Sequence, residues 1–89
     1  LNYKALIRIK GGLYPSHTEV RSNNFHVDYD FKHKGCLFYI NNNNGPTIIG
    51  KKSILPKENR AVFFDSSKPH HSSLCSDQQV RITVNFNYF

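Results

Sequence analysis

The side chains of this chain that could do chemistry are few and widely spaced. His26 and Asp28 stand two positions apart in NNFHVDYDF (23–31), His70 and His71 adjoin in SKPHHSS (67–73), and Arg81 lies in VRITVNFNYF (80–89). On a strand, residues i and i+2 share a face. His26 and Asp28 would therefore stand side by side, with Phe25, Val27, Tyr29 and Phe31 on the opposite face. An imidazole beside a carboxylate is half of a metal site. One more histidine from a distant segment completes the two-histidine, one-carboxylate set that holds ferrous iron on one side and leaves its other positions open.

The same HxD spacing also occurs on solvated edge strands, so it decides little alone. Arg81 adds more. A strand–turn–strand hairpin from His70 to Arg81 would carry the guanidinium into the same cavity, and its fork suits bidentate capture of a carboxylate. Thr83, two residues on, would add a hydroxyl on the same face.

The elements that must position these groups read as strands almost throughout. Hydrophobic residues recur with period two, and no segment sustains a helical period. KALIRI (4–9), FHVDYDF (25–31), CLFYIN (36–41), PTIIG (46–50), RAVFFDS (60–66), the stretch from SKPHHSS and the closing VRITVNFNYF give seven or eight strands. GGLYPSH (11–17), NNNNG (41–45) and CSDQQ (75–79) read as breaks and turns, with ILPKEN (54–59) a loop or short edge. Many short strands punctuated by turns predict an all-β sandwich or barrel in one domain over 1–89. In the last strand Ile82, Val84, Phe86 and Tyr88 share one face and Arg81, Thr83, Asn85 and Asn87 the other. If the polar face lines a cavity, the apolar face looks outward and needs a cover: a preceding segment or a second copy.

The chain has 89 residues, begins with leucine and contains no methionine, which suggests a piece of a longer protein. No apolar run approaches the roughly 20 residues that cross a bilayer, so a membrane is not expected as partner. Twelve Lys and Arg against six Asp and Glu give a net charge of +6. That balance suits an acidic partner such as nucleic acid, but the basic residues are scattered along the chain and a solvated surface is the favoured reading. Two cysteines, Cys36 and Cys75, without CxxC spacing fit reduced thiols in an intracellular, cytoplasmic protein. His17 and His33 are expected in solvated turns.

The order FHVDYDF … CLFYINNNNGPT … NRAVFFDSSKPHHSS … VRITVNF resembles the Fe(II)/2-oxoglutarate-dependent dioxygenases, closest to their prolyl-hydroxylase-like branch and its small viral and bacterial members. The resemblance covers most of the chain, from about residue 7 onward. It implies a double-stranded β-helix, a cupin-like jelly roll, here without the usual N-terminal helical cover. It also implies that His26, Asp28 and His70 are the catalytic iron ligands, His70 being preferred to His71 because the family has a PH step after an FF strand. Arg81 would bind the distal carboxylate of 2-oxoglutarate, with Tyr39, Thr83 and Tyr14 in the same pocket and Thr47 in a structural role. The implied reaction couples oxidative decarboxylation of 2-oxoglutarate by dioxygen to hydroxylation of a peptide, protein or small-molecule substrate, with ascorbate a candidate reductant. Two other functions compete: a non-catalytic β-barrel that binds nucleic acid or a protein partner, and a cupin-type metal-binding protein without oxygen chemistry.

Overall fold

The computed structural model describes residues 4–89, apart from the side chain of Ser22. Eight strands and no helix are found there: β1 (Leu6–Pro15), β2 (Arg21–Ser22), β3 (Lys34–Tyr39), β4 (Thr47–Ile49), β5 (Lys52–Ile54), β6 (Ala61–Asp65), β7 (His70–Leu74) and β8 (Val80–Tyr88). They form two four-stranded antiparallel sheets, a major one ordered β1-β8-β3-β6 and a minor one ordered β2-β7-β4-β5. Most sequence neighbours lie in opposite sheets, so the chain crosses between layers repeatedly, as in a jelly roll.

Period two along β8 sets what lies inside. Arg81, Thr83 and Asn87 are buried, together with Thr47 and Ser73 of the minor sheet and Tyr39 of β3. Cross-strand partners share a face, and β1 pairs Tyr14 with Arg81, Gly12 with Thr83 and Lys10 with Asn85. The enclosed space is therefore lined largely by polar side chains, joined by Leu37 and Phe64. The outer face carries Leu13 opposite Ile82, and a row in which Ile9, Phe86, Cys36 and Phe63 are successive partners. Ile9, Leu13 and Phe63 are more than half exposed. The polar-inside, apolar-outside arrangement expected from β8 is what forms.

Several local readings change. Glycines and a proline do not break β1, which runs through Gly11 to Pro15 because all of them pair with β8. A bulge between Leu6 and Arg8 shifts the register, so Leu6 and Ile9 end on the same face, not opposite ones. The segment 25–31 is not a strand; His26 makes a single bridge to His70. No His70–Arg81 hairpin forms either, because β7 and β8 belong to different sheets.

The asparagine run likewise crosses from β3 to β4, in opposite sheets, so it is not a hairpin turn. Three of the four asparagine side chains tie down another segment, and Asn43 closes the loop on itself. Asn41 donates to Val80 O (2.8 Å) and accepts from Ile82 N (3.0 Å). Asn42 accepts from Glu58 N (2.9 Å), Asn43 from Gly45 N (2.9 Å), and Asn44 from Ser76 N (2.8 Å). The following Gly45 approaches β7 so closely that a Cβ would stand 2.8 Å from Ser73 O. Gly50, in the tight β4–β5 turn, has φ of 59°, where glycine carries no Cβ penalty.

Candidate metal centre

His26, Asp28 and His70 converge at one mouth of the enclosed space, with one potential ligand atom from each lying within 4.8 Å of the others. His70 opens β7; His26 reaches it through reciprocal backbone bonds, His26 N to His70 O (2.8 Å) and His70 N to His26 O (2.9 Å). Asp28 N donates to Ser66 O, fixing the next turn of the segment. The two imidazoles tilt against each other with centroids 4.5 Å apart. Irregular backbone, pinned at two points, thus brings together residues whose proximity was expected from a regular strand.

The surroundings hold each donor in place. Asp28 Oδ1 faces His70 Nε2 at 3.3 Å and His26 Nε2 at 3.4 Å. Its Oδ2 accepts from Asn87 Nδ2 (2.8 Å) and Asn85 Nδ2 (3.2 Å). Arg8 donates to Asn87 Oδ1 through Nε and Nη2, which orients that amide with its NH2 toward Asp28. Burial alone would raise the Asp28 pKa, but bonds from His70, Asn87 and Asn85 outweigh it and hold the carboxyl far below its usual range.

His70 donates from Nδ1 to Lys68 O at 2.8 Å. Nε2 then faces a carboxylate, so without a metal the ring is stabilised as imidazolium. Burial would lower its pKa, yet the Asp28 hydrogen bond, the Lys68 carbonyl and the Asp28 charge raise it. A divalent cation could take the place of that Nε2 proton. The fixed tautomer and the anchored carboxylate are the supports that metal-binding histidines and acids ordinarily have, so this donor set fits a divalent metal.

Deeper in the same cavity of about 120 Å³ lies Arg81, 2% exposed. Its Nε donates to Gly45 O (3.0 Å) and Nη2 to Thr47 Oγ1 (2.9 Å). The Tyr39 hydroxyl also donates to Thr47 Oγ1 (2.7 Å), and the rings of Tyr39 and Tyr14 lie 5.8 and 5.9 Å from the guanidinium. Burial depresses the Arg81 pKa, but no carboxylate pairs with it among the described residues. Among the described residues Nη1 makes no hydrogen bond, leaving the end of the fork open.

A solved structure of an RmlC-like cupin protein from Desulfovibrio desulfuricans is similar to this chain, with a TM-score of 0.54 over 89% of this chain and 81% of that one, at 11% identity. The fold is that of a cupin. No protein-family model matches the sequence, and no curated protein does.

Within this cupin fold, Tyr14, Thr83 and Arg81 line the cavity with the three candidate ligands, whereas Tyr39 lies fully buried behind it and reaches Arg81 through Thr47, the hinge of their network. His71 is buried and also lines the cavity beside the candidate ligands, its ring and that of Phe25 meeting edge-on at 4.3 Å. His33, expected in a solvated turn, is instead buried and donates to Phe31 O at 2.8 Å. Asn85, Asn87 and Arg8 had not been assigned to the site. The signal for the asparagines was present in the polar face of β8, and Arg8 shares the inward face of Lys10, Gly12 and Tyr14 by plain alternation, a face that shows only once β1 is seen to run unbroken through its glycines.

Proposed function

We propose that this chain is a non-haem Fe(II)- and 2-oxoglutarate-dependent dioxygenase, with His26, Asp28 and His70 as the metal ligands. The observation that carries the reading is a buried, carboxylate-free Arg81 sharing one small cavity with two histidines and an aspartate. A buried guanidinium without an anion is costly, and the open end of its fork suits the distal carboxylate of a small dicarboxylic acid.

When bound, iron would supply the activation of dioxygen; the residues of the chain supply position and charge. Asn85 and Asn87 fix Asp28, the Lys68 carbonyl fixes the His70 ring, and Thr47 with Gly45 holds the arginine. Tyr14 walls the cavity beside the guanidinium, and the fully buried Tyr39 backs it from behind through Thr47. The cavity is far below the roughly 300 Å³ at which drug-sized pockets begin, which restricts the co-substrate to a metabolite-sized acid.

A second reading is a cupin-type metal protein with no co-substrate, favoured by the protein bonds that already occupy two Arg81 nitrogens. Anaerobic titration with Fe(II) and then 2-oxoglutarate separates the two. The dioxygenase predicts a visible metal-to-ligand charge-transfer band, absent in His26→Ala and requiring at least about tenfold more 2-oxoglutarate in Arg81→Ala, the loss expected for a charge-assisted bond. Stoichiometric metal uptake with no band in the folded wild type would favour the second reading.

A further inference from the structure

A second concavity, of about 900 Å³, opens on the outer side of the major sheet. Lys4, Lys32 and Lys34 line it with His33, Phe63 and Phe89. These basic residues are far apart in sequence, but the fold gathers them: Lys34 is the cross-strand partner of both Tyr88 and Asp65, which also line the groove. Asp65 is the only acid among the described residues that line it, and Ser67 engages it through its N–H and hydroxyl. Phe63 is 63% exposed, an unusual position for so large an apolar ring, and Phe89 is 44% exposed. Phe31 stacks on Phe89 at 5.7 Å and on Tyr29 at 5.2 Å. His33 is 3% exposed and its Nε2 has no hydrogen-bond partner among the described residues.

Cations interleaved with exposed aromatic rings are what a single strand of nucleic acid needs: phosphates pair with lysine, and bases stack on rings without regard to sequence. We propose that this groove docks single-stranded nucleic acid, with a base stacked on Phe63 or Phe89 and its phosphates beside Lys4, Lys32 and Lys34. The net charge of +6 draws the same partner. Phe64 contributes to the walls of both the groove and the metal-centre cavity, and its ring meets His70 edge-on at 5.0 Å. A strand in the groove would thus lie beside the candidate metal centre, although the docking does not depend on a metal being there.

The test is fluorescence anisotropy of a short fluorescein-labelled oligothymidylate with the full chain. Saturable binding is expected, weaker for the matching duplex and weaker still for thymidine monophosphate or inorganic phosphate as competitors. Phe63→Ala should weaken it by about tenfold or more, the scale of a lost base stack. Lys34→Ala should weaken it and reduce the salt slope by about 0.7, the value for one phosphate contact on a single strand. Lys51→Ala, at the exposed β4–β5 turn, removes the same charge elsewhere and should change little. No binding by protein with a wild-type circular dichroism spectrum overturns the proposal. So do equal losses in Lys34→Ala and Lys51→Ala with none in Phe63→Ala, a duplex bound as tightly as the strand, or a mononucleotide that competes equally well. His26→Ala should bind the strand normally, so failure of the metal reading would not be mistaken for failure of this one.

Discussion

Asp28 is held by more partners than any other side chain in the cavity. Two asparagines, two histidines and, through Asn87, Arg8 all bear on it. Such supports typically matter about 10–100-fold for metal affinity. Asn87→Ala should therefore weaken Fe(II) or Co(II) binding within that range while leaving stoichiometry at one, as read by competition with a chromophoric chelator. The pH dependence follows from His70. Its apo-state pKa is raised, so protonation stabilises the folded apoprotein below the unfolded value, and that stabilisation fades as pH rises through the folded value. Metal must displace the same proton, so metal affinity should climb as pH rises through that folded pKa and level off above it. Titrations across pH 5.5–8.5, a range set around the usual histidine value of about 6.5, would check the sign; affinity that falls with rising pH would rule this out.

At the scale of elements, the asparagine run behaves as a clasp between layers. Asn41 alone joins β3 to both backbone groups at the start of β8, next to Arg81. Asn41→Ala is expected to cost about 1–3 kcal/mol, because it orphans part-buried backbone groups, seen as a lower midpoint in urea with an unchanged m-value. Gly45→Ala forces the loop away from Ser73 O and with it the carbonyl that receives Arg81 Nε. Its expected signature is a loss of 2-oxoglutarate affinity at unchanged metal affinity, measured in the same anaerobic titration. These elements also mark where the sequence was readable. The period-two faces of β8 gave the polar interior directly, since side-chain alternation is local geometry. The bulge in β1, the crossing of the asparagine run and the irregular path through His26 are set by pairing with distant strands, which no local pattern encodes. The convergence of His26, Asp28 and His70 was legible even so, from the HxD spacing together with the family resemblance, and it rests on contacts that survive the loss of strand geometry.

For the molecule as a whole, the two sheets divide the side chains in an unusual way. The apolar rows of β1, β8, β3 and β6 look outward, and the space between the sheets holds arginine, threonine, asparagine and histidine. No helix among the described residues is long and apolar enough to cross a membrane. The outer face has the character of a surface made to be covered, and the lysine-lined groove lies at one end of it.

The polar interior also has a calorimetric consequence. Exposing apolar surface raises the heat capacity of the unfolded chain, and exposing polar surface lowers it. With Arg81, Thr83, Asn87 and Thr47 inside, and Ile9, Leu13 and Phe63 already wet in the native state, unfolding should give a heat-capacity increment below the usual ~12–15 cal/mol/K per residue. The stability curve would be flatter than that of an oil-filled barrel, with little sharpening of its maximum and a cold-denaturation limb displaced to lower temperature. Differential scanning calorimetry at several pH values would measure that curvature directly.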